Sequence, residues 1–206
     1  MIFNKILNSI FSSSSHIAVL RALQHHNTGI SGREIARLSG LSPKSALYAL
    51  SSLENIKIVK RVIGGRDHLF TLNRVNYLVK NGILPILQIE NNYLPRLLSI
   101  IKQKLSKQCI SIILFGSVAR NDETSDSDLD ICFVVQNKNV KNNILPSVHH
   151  LQDRIFNEFG ASLAPVYFTL DEFRKRASKN LPPVNSIIRE GILISGKPIR
   201  IITHGS

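Results

Sequence analysis

Two short apolar runs, each joined to a polar turn, constrain this chain more than any other feature. Residues Cys109 to Phe115 are apolar with one serine and lead directly into Gly116-Ser117. After Val118, Ala119, Arg120, Asn121 and an acidic polar loop, Ser127-Asp128-Leu129-Asp130 opens a second apolar run that ends at Val135. Unbroken apolar runs of this length predict strands covered on both faces. Gly116, with no Cβ, lets the backbone come close to a phosphate. Ser117 starts a short helix whose free N–H groups, with the hydroxyl, can receive triphosphate oxygens. Asp128 and Asp130 are two apart on a strand and share one face. Two carboxylates on one rim make a hard oxygen site that suits Mg²⁺, with Mn²⁺ as an alternative. Such an ion can join the acids to an NTP or dNTP and stabilise in-line displacement at the α-phosphorus.

The strand–Gly116-Ser117-x-Ala119-Arg120 bend, followed by Ser127-Asp128-x-Asp130 at a strand start, resembles the DNA polymerase β-like nucleotidyltransferase superfamily. The likeness is greatest to its small minimal members, many of which are antitoxins or defence proteins. It spans about residues 95–200 and includes the tail Ile187 to Gly196, similar to the family's closing helix and strand. The resemblance implies that Asp128 and Asp130 are catalytic and hold the metal, and that Gly116 and Ser117 cradle the nucleotide. Arg120 divides evenly between phosphate and the acidic loop. The family also takes a third carboxylate from a later strand. The corresponding run, Ala161 to Leu170, contains no acid, and Asp171 and Glu172 are expected only to start a helix in a capping box with Thr169.

Other polar residues carry less. Asp122, Glu123 and Asp126 read as a solvated loop, with Asp126 near enough to assist. His16, His25-His26 and His149-His150 lack metal-ligand spacing and read as packing or surface residues. Tyr48 and Tyr167 have hydroxyls that could accept a nucleotide, although core or interface roles are commoner.

The N-terminal part has a different grammar. Ile17, Val19, Leu20 and Leu23 have helical spacing. A second helix is predicted from Ser31, with a capping box to Glu34, an Ile30–Ile35 staple and a stop at Gly40. A third starts with Ser42 as N-cap and Pro43 at the first position, burying Leu47, Leu50 and Leu53. Two β-rich runs, Ile56–Ile63 and Asp67–Leu72, flank Gly64-Gly65 and predict a hairpin. The order resembles the winged helix-turn-helix of MarR and ArsR type regulators over about residues 14–74. That resemblance implies that Lys44, Ser45 and Tyr48 on the third helix, with Lys60, Arg61 and Arg66 on the wing, meet nucleic acid; protein docking is the competing role. Residues 86–107 are expected to be a helical linker, broken at Asn91-Asn92 and Pro95 and serving as a spacer or as a homodimer-forming helix.

Charge placement agrees with that division. The chain carries 26 Lys+Arg against 14 Asp+Glu, and residues 1–85 hold 11 of the basic and 3 of the acidic groups. Residues 108–206 hold 11 and 10, so the positive excess lies where a polyanion would be met. Cys109 and Cys132 are too few for a disulfide scaffold and are expected to be reduced core residues of a cytoplasmic protein. The apolar start is too short for a signal peptide, and no run approaches the roughly 18 apolar residues of a membrane span. The expected fold class is α+β: a basic winged helix-turn-helix at 1–85, the linker, and at 108–206 a small nucleotidyltransferase fold, a mixed sheet with flanking helices. The expected function is NMP transfer to an acceptor hydroxyl on a protein, a tRNA or an oligonucleotide end, with a cognate toxin or defence effector as partner. The alternative is a DNA-binding regulator or antitoxin with a degenerate nucleotide-binding domain.

Overall fold

The computed structural model describes residues 4–64 and 67–204. The chain is α+β and divides into two compact units, Met1–Asn92 and Tyr93–Ser206.

In the first unit α1 (Ile6–Ile10) and α2 (Ser14–Leu23) precede a two-residue strand, β1 (Ile30–Ser31). Next come α3 (Gly32–Ser39), α4 (Pro43–Asn55), β2 (Val59–Gly64) and β3 (Asp67–Leu72). Serine side chains cap α2, α3 and α4. Ser31 Oγ accepts from the Glu34 N–H and Ser42 Oγ from the Ser45 N–H. The expected capping box at Ser31 is half formed, because the Glu34 carboxylate is taken by Arg37. Gly40 ends α3 in the left-handed region, where a Cβ is penalised. β2 and β3 pair antiparallel from Val59–Leu72 to Gly64–Asp67, and β1 adds to β3. The turn at Gly65 and Arg66 lies outside the described residues. The core gathers Leu20, Leu23, Ile35, Leu50, Leu53, Ile58 and Phe70. Leu47 departs from expectation: it is 51% exposed, and Ala46, Ala49, Leu50 and Leu53 form the buried face instead.

A π-helical turn, Val79–Ile83, runs straight into α5 (Leu84–Leu105). The expected break at Asn91-Asn92 and Pro95 is therefore corrected: there is one helix, with Pro95 inside it. Proline removes one N–H and crowds the carbonyl four residues back. Burial on both sides of that position outweighs the cost, through Leu87 in the first unit's core and Leu97, Ile100, Ile101 and Leu105 in the second's.

The second unit follows as β4 (Ser111–Leu114), α6 (Gly116–Arg120), β5 (Leu129–Val135), α7 (Lys138–Phe159) and β6 (Leu163–Thr169). Then come α8 (Leu170–Ser178), α9 (Val184–Glu190), β7 (Ile192–Gly196) and α10 (Ile199–His204). The sheet order is β6-β5-β4-β7, with β5 antiparallel to β4 and parallel to β6. A parallel pair needs a crossover, and the 22-residue α7 supplies it. Leu129, Ile131, Phe133 and Val135 pack on one sheet face with α5 and α7 residues such as Ile101 and Ile144. Cys132 and Val134 pack on the other with Phe173, Val184 and Ile187. Both faces being covered, the strands read as continuous apolar runs. The two cysteines are buried packing residues, and burial pushes the Cys109 thiol up to about 12.

Candidate functional site

β4 delivers the chain to Phe115, whose N–H donates to the Asp130 carbonyl at 3.1 Å, so the bend is joined to the acid-bearing strand. Gly116 then turns with φ +76°, and a Cβ there would overlap Asp130 Oδ2. Two constraints therefore require glycine: a left-handed backbone and a carboxylate already in the space a side chain would fill. Ser117 follows in α6, and Asn121 closes that helix in the left-handed region, which asparagine tolerates. Asp128 is exposed just ahead of β5, and Asp130 is half-buried on it. Burial first, and then the Asp128 charge, raise the Asp130 carboxyl above its ordinary value, while Arg120 pulls the other way. An acid pair with mutual repulsion, on the rim of a glycine cradle, fits a hard divalent cation.

Arg120 is held by carboxylates. Its Nε donates to Asp122 Oδ2 at 2.9 Å and its Nη1 to Glu190 Oε1 at 2.7 Å. Glu190 was not picked out from the sequence. It ends α9, its side chain is only 13% exposed, and through Arg120 it connects α9 to α6. The next residue, Gly191, is packed so closely that a Cβ would lie 2.8 Å from Ile113 Cγ2 on β4. The Glu190-Gly191 pair in the tail was the available signal.

Strand register explains why no third acid joins the pair. Ala164 stands beside Asp130 on β6. Asp171 and Glu172 come after Thr169, which pairs with Val135, five residues further along β5. At about 3.3 Å per residue that is roughly 17 Å from Asp130. Glu172 is committed to the expected capping box: its carboxylate accepts from the Thr169 N–H and its own N–H donates to Thr169 Oγ1. Among the described residues no group of three or more His, Cys, Asp or Glu could hold a metal ion.

In the first unit, Lys44 and Tyr48 on α4 and Arg61 on β2 line one recess together with Leu47 and Phe70. The Arg61 guanidinium lies 5.3 Å from the Phe70 ring centre and donates to Glu54 at 2.6 Å. Lys60 neighbours Arg61 on the strand and so points to the opposite sheet face. Ser45 bonds to Ser42 and lines a separate recess beside Ser13 and His16. Arg66 lies outside the described residues. Leu47, expected in the core, also lines the neighbouring recess, together with Arg33 and His68, which no sequence motif marks. His16 is a buried packing residue whose ring bonds to the Ser9 and Ile10 carbonyls.

The architecture defines a winged helix-turn-helix joined to a small αβ domain in which Asp130 lies against the Gly116 bend and Asp128 stands two residues before Asp130. Residues 94–191 match the family model described as Nucleotidyltransferase domain, and residues 13–60 match Winged helix-turn-helix DNA-binding. The chain therefore carries a nucleotidyltransferase domain behind a winged helix-turn-helix. No curated protein matches it. Among solved structures it is similar to MepR, a transcription regulator of the Staphylococcus aureus multidrug efflux pump MepA, at 13% identity and TM-score 0.37. That match covers 72% of this chain and 87% of MepR. Lactococcus lactis ZitR, a mutant in apo form, matches at 15% identity and TM-score 0.30, covering 71% of this chain and 86% of that one. At those scores neither likeness bears on fold or function. No helix among the described residues is long and apolar enough to cross a membrane.

Proposed function

We propose that the second unit transfers NMP from an NTP or dNTP to an acceptor hydroxyl, in a Mg²⁺-dependent reaction. The observation that carries this reading is the Asp130 carboxylate set against Gly116, with the like-charged Asp128 close by. Asp128 and Asp130 would hold the ion, Mn²⁺ serving as an alternative, and its charge would stabilise the phosphoryl oxygens during displacement. Gly116 keeps the backbone low beside the phosphates, and Ser117 offers its hydroxyl to them. The acceptor oxygen forms a bond to the α-phosphorus, the bond from that phosphorus to the bridging oxygen breaks, and pyrophosphate leaves. Alanine stands in register beside Asp130 on β6, so the acceptor's proton goes to the acid pair itself or to a group that the substrate or partner supplies.

The acceptor is a partner toxin's tyrosine, a tRNA end or an oligonucleotide end. A toxin–antitoxin or antiphage-defence setting is supported by the motif's resemblance to minimal nucleotidyltransferases. Incubation with each α-labelled NTP and dNTP, Mg²⁺ or Mn²⁺, nucleic acid and the product of the adjacent gene tests the reaction. Labelled acceptor is the expected result, and unchanged nucleotide in every combination counts against it.

A second reading is favoured by the β6 register and by the engagement of Arg120 with two carboxylates. In it the second unit binds nucleotide without turnover, and the winged helix makes the chain a nucleic-acid-binding regulator or antitoxin. It predicts salt-sensitive DNA binding that survives the double change Asp128→Ala and Asp130→Ala. Weak binding with no preference between promoter and random duplex would argue against it.

A further inference from the structure

We propose that the cleft between α4 and the wing accepts an unstacked nucleobase, so that the first unit binds single-stranded nucleic acid in preference to duplex. This rests on the reading that the winged helix meets nucleic acid, and does not depend on the chemistry of the second unit.

Two recesses adjoin there and share Leu47, Arg61 and Phe70 as walls. One, of about 400 Å³, adds Arg33 and His68. The other, of about 560 Å³, adds Lys44, Tyr48 and Ser51. Both fall within the size range of small-ligand pockets. Among the described residues lining them none is acidic, so the cleft combines apolar walls with a cationic rim. At its centre are two large side chains open to solvent: Leu47 is 51% exposed and Tyr48 67%.

Duplex DNA hides the faces of its bases in the stack and offers a protein only their edges. An exposed ring and an apolar slot are complementary to a base face, which only an unstacked nucleotide provides. Arg61 points the same way. Its charge is already met by Glu54, which leaves little for a phosphate, while its guanidinium lies over Phe70 and walls the slot with a plane. Lys44, 5.9 Å from the Tyr48 ring centre, supplies charge for the adjoining backbone.

The test uses the full chain and measures anisotropy of one labelled mixed sequence as single-stranded DNA, single-stranded RNA and duplex DNA. One or both single strands should bind at least about tenfold more tightly than duplex. Tyr48→Ala should weaken that binding by about tenfold, as loss of a stacked base does, and leave duplex within twofold; Tyr48→Phe should restore it. Tyr48 lies outside the core, so the variants are expected to fold. Duplex binding equal to or tighter than both single strands, or an equal loss on all substrates in Tyr48→Ala, overturns the base slot and leaves nucleic-acid contact standing. Binding of none of them overturns both.

Discussion

Gly116 is where the two halves of the nucleotidyltransferase motif meet. Gly116→Ala places a methyl group on Asp130 and forces an L-residue into a left-handed backbone. The backbone term alone is expected to cost about 1–2 kcal/mol, read as a lower urea midpoint for the second unit's transition. Asp130 gives a pH-dependent counterpart. Its carboxyl is raised in the fold, so between its ordinary and raised values the native state holds more proton than the unfolded chain. Stability of the metal-free protein therefore falls as pH rises through that window, and the cost is complete above the raised value. Asp130→Asn removes the charge and is expected to melt above the parent at neutral pH without metal. Magnesium at a hundredfold its Kd should stabilise the parent by about 2.7 kcal/mol and leave Asp130→Asn unmoved. Because the ion competes with the proton, its affinity should begin to fall at a higher pH than for an ordinary carboxylate.

Among the elements, those with a periodic or capped signature were legible. Ser42-Pro43 announced α4, the apolar runs announced β4 and β5, and Thr169 with Glu172 announced α8. What escaped was set by tertiary packing. β1 is two residues long and exists because β3 offers it a partner. α5 continues through Pro95 because its two halves are buried in two cores, which local propensity does not register. Pro95→Ala is accordingly expected to stabilise the protein, by up to about 3 kcal/mol, read from the urea midpoint. In the candidate site the acid pair and the bend were readable from spacing, whereas the hold of Glu190 on Arg120 joins residues seventy positions apart and needed the fold. Glu190→Gln loosens Arg120 and is expected to tighten nucleotide binding; an unchanged affinity would mean that Arg120 does not reach the phosphates.

Across the whole molecule, charge and acid chemistry are segregated: most of the basic excess lies in residues 1–85, and the acid pair belongs to the second unit. Nucleic-acid affinity should therefore fall steeply with salt, and Lys44→Ala should reduce the log–log slope by about 1. The central proposal is that Asp128 and Asp130 hold a divalent ion against a triphosphate seated on the Gly116-Ser117 bend. Calorimetric titration of the full chain with a non-hydrolysable NTP, with and without Mg²⁺, addresses it directly when repeated on Asp128→Asn and Asp130→Asn. Magnesium-dependent binding in the parent, weakened at least about tenfold (1.4 kcal/mol) in each variant, is the predicted result. Binding of equal strength without magnesium, or in both variants, would contradict it.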